Sequence, residues 1–554
     1  MNIVKSNVLE VSGLTVKAGD QTILDNISFG LARNEVLGIV GETGAGKSIL
    51  ARALIDLLPE GVAIREGVVR YDDKNVATLP DREKRKFRGG QISLIGTNAK
   101  ALLDPVQTVG SQVARVLQAH KRCGRKEAEA EAIELFKRVG IVNPEARAKA
   151  YPHELSGGMA QRVVIAMAMI ARPKVVLADD ATLGLDATIQ VQVLDMLVAQ
   201  AREQDVGVVL ITHDLGIIAH FCDRVAIMKE GRIVEIGPVS DFLKRPQEEY
   251  SRTLLEAAKA RPVPMNESGK VVELASQRPL LEVRELLKLF PLGNGTVVRA
   301  VDGVNFSVGR NETLALVGES GSGKTTVGQC LVKLLSTTGG EVRFDGQETT
   351  GLTETQFRPI RRRIQMVFQE PYVALNPRWT VSDLISEPLA LVTDMPRSLR
   401  NERVKQLLDL VGISQRLADA YPHELTAGEQ KRVGIARALA TRPDFVVFDE
   451  PTTALDIRVR AQIIDLVRDL QKELGMSALF ITHDLNSVRS LAHNVAVMRH
   501  GKIVEVGETE KIFESPTHEY TRMLLAAELP IDHGPTGGDK GSGKASESRK
   551  QERW

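Results

Sequence analysis

The sequence predicts an α/β fold that occurs twice in one chain, and three observations carry that expectation. An apolar run, Leu314-Ala315-Leu316-Val317, leads into the glycine-rich loop Gly318-Glu319-Ser320-Gly321-Ser322-Gly323-Lys324-Thr325. Thr326 follows, then Val327 to Leu335 with the apolar spacing of a helix, which completes a strand, loop and helix. Leu37-Gly38-Ile39-Val40 leads in the same way into Gly41-Glu42-Thr43-Gly44-Ala45-Gly46-Lys47-Ser48. Two later runs, Val175-Val176-Leu177-Ala178-Asp179 and Phe445-Val446-Val447-Phe448-Asp449, read as buried strands that end in an aspartate. A carboxylate there lies at the sheet edge where open α/β folds bind ligands.

Composition bounds the rest. With 554 residues the chain is too long for one core, and length alone suggests about three to four folding units. It is 43% hydrophobic and 26% charged, and Lys+Arg 72 against Asp+Glu 71 leaves a net charge of +1. That balance makes no electrostatic case for nucleic acid as the main partner. Cys123, Cys222 and Cys330 form no C-x-x-C pair, so a disulfide framework or cysteine metal site is not expected and a reducing compartment fits. Met1 to Glu10 lacks the apolar core of a signal peptide. The longest apolar run, Val163 to Ala171, is too short for a bilayer, so any membrane role is expected to come through a partner.

In chain order, Val8-Leu9-Glu10-Val11, Leu14-Thr15-Val16, Ile23-Leu24 and Ile27-Ser28-Phe29 read as short strands of one β subdomain. The duplication shows again in Tyr151-Pro152-His153-Glu154-Leu155, which recurs as Tyr421-Pro422-His423-Glu424-Leu425. Ile211-Thr212-His213-Asp214-Leu215 likewise recurs as Ile481-Thr482-His483-Asp484-Leu485. The expected copies are 1–256 and 280–529. Residues 257–279, with Arg261-Pro262-Val263-Pro264, read as a linker, and 530–554, rich in Gly, Ser, Lys and Glu, as a disordered tail. Inside each copy, Asp104 to Tyr151 and Asn376 to Tyr421 contain helical spacings with charged faces, such as Lys126 to Val139 and Asn401 to Val411. A helical subdomain inserted into the α/β core is expected there.

Each loop type has a chemical reason. Glycines let successive backbone N–H groups converge on phosphate oxygens, with the positive end of a helix behind them. Lys324 and Lys47 can reach β- and γ-phosphates, and the hydroxyls of Thr325 and Ser48 can ligate Mg²⁺ beside Asp449 and Asp179. Glu450 follows Asp449 directly and can accept a proton from an attacking water. Leu155-Ser156-Gly157-Gly158-Met159-Ala160-Gln161-Arg162 opens a long apolar helix whose first N–H groups and Ser156 hydroxyl can meet an anion.

Together these residues resemble ATP-binding cassette (ABC) ATPases over nearly the whole chain. The resemblance implies two P-loop ABC nucleotide-binding domains, each a RecA-like α/β core with a β subdomain and an inserted helical subdomain. It implies binding of ATP and Mg²⁺, and head-to-tail pairing in which each ATP lies between one copy's loop and the other's signature, L-S-G-G-Q in family form. On that pattern Glu450 is the general base, Asp449 and Gln369 join Thr325 at Mg²⁺, His483 is the γ-phosphate switch and Phe290 stacks on adenine. Ser156, Gly157, Gly158 and the D-loop Asp186 would complete this site from the first copy. Asp179, Asp180 and His213 hold the matching positions beside Ser48.

Val367-Phe368-Gln369-Glu370-Pro371-Tyr372-Val373-Ala374-Leu375-Asn376-Pro377 and Ser515-Pro516-Thr517-His518-Glu519-Tyr520-Thr521 look like the oligopeptide/dipeptide/nickel importer subfamily. Arg245-Pro246-Gln247-Glu248-Glu249-Tyr250-Ser251 matches the second motif in the first copy. This closer resemblance implies an ATPase subunit on the cytoplasmic face of the inner membrane, peripheral through two transmembrane permease subunits whose coupling helices dock near Gln369 and Thr97. An extracytoplasmic solute-binding protein would deliver peptides or related solutes, a class that in the subfamily extends to nickel, opines and sugars. Some members carry a cysteine-rich tail; no such cysteines occur here, so no iron–sulfur cluster is expected, and the charge balance leaves no nucleic acid expected either.

The copies are not equivalent. The signature that faces the site built on Lys324, Leu155 to Met159, departs from the family only at Met159. The other site has Asp180 for the catalytic glutamate, Thr97 for the Q-loop glutamine, Ala181 for a proline and Ala18 for the adenine-stacking aromatic, opposite a signature altered at Ala427 and Glu429. A carboxylate displaced by on the order of 1 Å can slow a reaction about 10²-fold. One competent and one degenerate composite site are therefore expected. The alternatives are a soluble twin-cassette ATPase acting on ribosomes or nucleic acid, which would carry a long charged linker, zinc cysteines or coiled coils, and a nucleotide-binding regulator without turnover.

Overall fold

The strand preceding each glycine-rich loop lies inside a six-stranded sheet, as its composition requires. Val36–Gly41 and Thr313–Val317 are buried along their whole length, and continuous apolar strands belong where both sheet faces are covered. The computed structural model describes residues 7–72, 74–259, 278–291, 297–370, 374–392, 395–453, 455, 457–529 and 531. They form two units, the first built mainly from the first repeat and the second from 260–528 together with Gly184–Val191.

In the first unit the large sheet runs in the order Arg232–Pro238, Arg224–Lys229, Val36–Gly41, Gly207–Ile211, Val175–Asp179, Ile92–Ile95. In the second it runs Lys502–Glu508, Asn494–Arg499, Thr313–Val317, Ser477–Thr482, Phe445–Asp449, Ile364–Val367. Every neighbouring pair is parallel except the one that adds the edge strand Arg232–Pro238 or Lys502–Glu508. Parallel pairing brings the C-terminal ends of the central strands to one edge, so Gly318, Asp449 and His483 leave the sheet side by side.

Each unit also has a four-stranded antiparallel sheet, with Asn7–Ala18 and Gln21–Ala32 in the first and Leu281–Pro291 and Val297–Val308 in the second. The four short strands expected ahead of the first loop are therefore two long ones. Register shifts interrupt their pairing, and Gly13 and Asn26 there take φ of 61° and 53°. Such bulges reset the in-and-out alternation, which makes one strand read as two.

The inserted helical subdomain is present in both units. Val109–His120 and Arg125–Arg138 pack on each other and on Gly157–Met169; Val381–Val392 and Arg397–Leu410 pack on Ala427–Leu439. The helix expected from Asn401 starts at Arg397, immediately after Pro396, whose extended backbone ends the preceding segment. Length alone suggested more units than two. The reason lies in the core: Val446 and Phe448 share one cluster with Leu384, Leu407 and Val433, while Phe445 and Val447 share another with Val283, Val327 and Phe344. One strand thus joins helical subdomain and antiparallel sheet through its two faces, and each fully buried side chain contributes about 1.5–3 kcal/mol.

The helix expected over Val327 to Leu335 runs Lys324–Leu331. Lys333 takes φ 57°, and its ammonium donates to the carbonyls of Thr349 (3.1 Å) and Thr350 (3.0 Å). Leu335 still packs on the core from non-helical backbone, so the apolar spacing overran the helix. Glu249–Lys259 is helical into the stretch read as linker; 260–277, and the expected tail apart from Ile531, lie outside the described residues. Among the described residues no helix is long and apolar enough to cross a membrane.

Candidate functional site

The loop from Gly318 to Thr325 is shaped by positions that tolerate no side chain. Gly318 and Gly323 take φ of 150° and 108°, and a Cβ on either would stand 2.1 Å from a backbone oxygen, that of Met498 or Ala300. Lys324 is buried, and its ammonium donates to the carbonyls of Gly318 (2.7 Å) and Glu319 (2.9 Å). Burial lowers its pKa, against the pull of Glu450, Asp186 and Asp449. The Ser322 hydroxyl is buried in the loop without a hydrogen-bond partner, a donor aimed at no protein acceptor.

Behind the loop, Thr325 Oγ1 donates to Asp449 Oδ1 at 3.0 Å. Burial pushes the Asp449 carboxyl up to about 6, although the Thr325 hydrogen bond works the other way. A hydroxyl and a carboxylate oxygen side by side are the hard donors Mg²⁺ selects, so this pair fits the ion the fold family implies.

Glu450 takes φ 44°, a left-handed conformation rare for such a residue and typical of functional positions. Its backbone N–H is tied to Ile481 O at 2.9 Å. Its carboxylate accepts from Gln369 Nε2 (2.8 Å) and Thr453 Oγ1 (3.0 Å), and His483 Nδ1 lies 3.3 Å away. Burial pushes the Glu450 carboxyl up, but the hydrogen bond and charge of His483 outweigh it and the pKa falls. Desolvation lowers the His483 pKa and the Glu450 hydrogen bond raises it, with a net rise. Asp449, Glu450, Gln369 and His483 thus converge beside Lys324 and Thr325.

The first unit repeats this frame with altered parts. Lys47 donates to Gly41 O (2.7 Å) and Glu42 O (2.9 Å), as Lys324 does in its loop. Burial raises the Asp179 pKa, opposed by a hydrogen bond from Ser48. Asp180 also takes φ 44° and keeps a contact of 3.2 Å with His213 Nδ1. Thr97 is exposed on the turn where Gln369 stands in the second unit.

The remaining predicted residues fall as follows. Asp186 belongs to the second unit, and its carboxylate accepts from the Ser320 N–H. Phe290 is half-exposed near the end of Leu281–Pro291, with the Lys288 ammonium 5.0 Å from its ring centroid. Ser156, Gly157 and Gly158 open the helix Gly157–Met169, where the Ser156 hydroxyl accepts from Met159 N at 3.3 Å. In the second unit Thr426 and Glu429 form a closed pair: Glu429 Oε2 accepts from Thr426 N (2.8 Å) and Oγ1 (2.7 Å), and Thr426 Oγ1 accepts from Glu429 N (3.3 Å). From sequence, Glu429 stands only as an alteration of the signature. The T-x-x-E spacing was the available signal of this capping box.

Lys431 escaped the sequence reading. It is buried; its ammonium donates to Gln369 O and lies 3.4 Å from Glu450 O, and burial pushes its pKa down to about 8. Gln161 holds its place in the first repeat, with a buried amide nitrogen that lacks a partner. The difference between repeats at this position was the only visible hint.

The ABC transporter family model matches residues 24–183 and 301–453. A model described as the oligopeptide/dipeptide transporter C-terminal region matches 504–551. The peptidoglycan transport ATP-binding protein YejF of Agrobacterium fabrum is 40% identical over 92% of this chain and 93% of its own length. The glutathione import ATP-binding protein GsiA of Escherichia coli O157:H7 is 40% identical over 95% of this chain and 90% of its own. Among solved structures, the ADP- and phosphate-bound dimer of the ATP-binding cassette MJ0796 is 30% identical over 41% of this chain and 98% of that one, with a TM-score of 0.39.

Proposed function

This chain belongs to the ABC transporter family and is an ABC ATPase with two cassettes, and from that premise we propose that it energises an importer of peptides or related small solutes. The C-terminal region match and the names of the relatives, glutathione import and peptidoglycan transport, support this solute class. Two transmembrane permease subunits would hold it at the cytoplasmic face of the membrane, and an extracytoplasmic binding protein would supply the solute.

The Glu450 arrangement carries the mechanistic reading. In this reading Lys324 leaves the Gly318 and Glu319 carbonyls for the β- and γ-phosphates of ATP, which the loop N–H groups receive. Thr325 and Asp449 would hold Mg²⁺, which would neutralise charge developing on the phosphate oxygens. Glu450, kept ionised by His483 and Lys324, accepts the proton of the attacking water. Gln369 holds that carboxylate, so movement of the Q-loop would change its aim.

In this reading the competent site, built on Lys324, is completed by Ser156 and Gly158. The site built on Lys47 retains its lysine, Ser48, Asp179 and the Asp180–His213 contact, but has Thr97 in place of glutamine. It holds ATP more than it hydrolyses it. Affinity purification from membranes tests the whole proposal: recovery with permease subunits is expected, whereas recovery with ribosomes would replace it with the soluble twin-cassette alternative.

A further inference from the structure

The motif Ser515-Pro516-Thr517-His518-Glu519-Tyr520-Thr521 has no part in the chemistry above, yet it reaches the phosphate loop. Glu505, on the edge strand Lys502–Glu508, accepts from Thr517 N (2.7 Å), Thr517 Oγ1 (2.7 Å) and His518 N (3.1 Å). These bonds anchor the start of the helix Glu519–Ala526, in which His518 Nδ1 caps Tyr520 N at 3.1 Å. Tyr520 is 1% exposed and packs with Ala315 and Val317 of the strand that carries the loop. The Arg499 guanidinium lies 4.7 Å from its ring centroid. At the end of this buried ring the hydroxyl accepts a hydrogen bond from Glu319 N at 3.1 Å.

The peptide between Gly318 and Glu319 is therefore held at both ends, its carbonyl by Lys324 and its N–H by Tyr520. When Lys324 turns to phosphate the carbonyl tie is lost, and the Tyr520 tie remains. We infer that Tyr520 is a positioning residue for nucleotide binding, and that the C-terminal motif braces the first peptide of the phosphate loop so that it keeps its shape as the lysine changes partner. The same anchoring frame recurs in the first unit. Glu235 accepts from Gln247 N (3.0 Å) and Glu248 N (3.2 Å), and the Lys229 ammonium lies 5.1 Å from the Tyr250 ring centroid. This inference rests on the ATPase activity proposed for the site built on Lys324.

The test is steady-state MgATP hydrolysis by the full chain. Tyr520→Phe keeps the ring and removes the acceptor, so KM for ATP should rise about fivefold, the equivalent of one hydrogen bond, with kcat little changed. A packing role alone would lower the melting temperature and leave KM where it was, and that result overturns the inference. A wild-type chain without ATPase activity overturns the activity and the inference together; an active wild type whose KM survives Tyr520→Phe overturns the inference alone. Should Tyr520→Phe not fold, Glu505→Gln loosens the anchor with Tyr520 intact. Amide exchange in the segment containing Glu319 should then speed up relative to wild type, and unchanged exchange would refute the brace.

Discussion

Gln369 Nε2 donates to Glu450 Oε2 at 2.8 Å, so the carboxylate proposed as general base is aimed by the loop that follows strand Ile364–Val367. In the first unit the corresponding positions are Thr97 and Asp180, each with a shorter side chain. This pairing is the chief physical difference between the two nucleotide loops and sets the first prediction.

Glu450→Gln should lower kcat by about 10²–10³-fold while leaving KM for ATP nearly intact, because proton acceptance is lost and the phosphate loop is not. Asp180→Asn should leave kcat within about twofold of wild type. Equal losses in the two variants, measured as phosphate release by the full chain, would remove the asymmetry.

Gly323→Ala should abolish nucleotide binding at the second loop. A Cβ there meets Ala300 O at 2.1 Å with φ at 108°, and the combined overlap and strain cost about 2–5 kcal/mol. Gly321→Ala at φ 77° meets nothing within 4 Å and should cost only about 1–2 kcal/mol of backbone strain. Titration with a fluorescent ATP analogue and thermal melting separate the two cases.

Lys431→Met should destabilise the chain by about 1–3 kcal/mol, because the charged hydrogen bond from the buried Lys431 ammonium to the Gln369 carbonyl is lost. It should also lower kcat more than it raises KM, since that carbonyl belongs to the residue that aims Glu450. Urea denaturation and steady-state kinetics report the two effects.

The Glu505 anchor makes a pH prediction. Burial would raise its carboxyl, but hydrogen bonds, among them those from the Thr517 and His518 amides, hold it at about 2. A depressed carboxyl stabilises the fold above its unfolded pKa, and that contribution disappears as pH falls toward the folded value. The stability difference between wild type and Glu505→Gln should thus be full near neutral pH and shrink from about pH 4.5 downward, as followed by denaturant titration at stepped pH. A difference that grows on acidification would contradict the anchor.

The duplication and the α/β class were legible in the chain because local pattern encodes them, whereas the placing of Gln369 and His483 beside Lys324, Thr325, Asp449 and Glu450 was implied by the resemblance to ABC ATPases. A buried strand followed by a glycine loop and a helix has few other ways to fold, and parallel pairing carries the ends of such strands to one edge. The bulged strands at Gly13 and Asn26 were misread because a register shift changes periodicity without changing composition. The capping box of Thr426 and Glu429 went unread, though its T-x-x-E spacing was visible. Lys431 and Tyr520 lay beyond reach of any local pattern. Their partners, Gln369 O and Glu319 N, are backbone atoms far away in sequence, and a backbone acceptor or donor has no side-chain identity to read. Residue types and spacing pointed to the groups proposed for the chemistry; only tertiary packing determined which buried side chains hold the loops that present them.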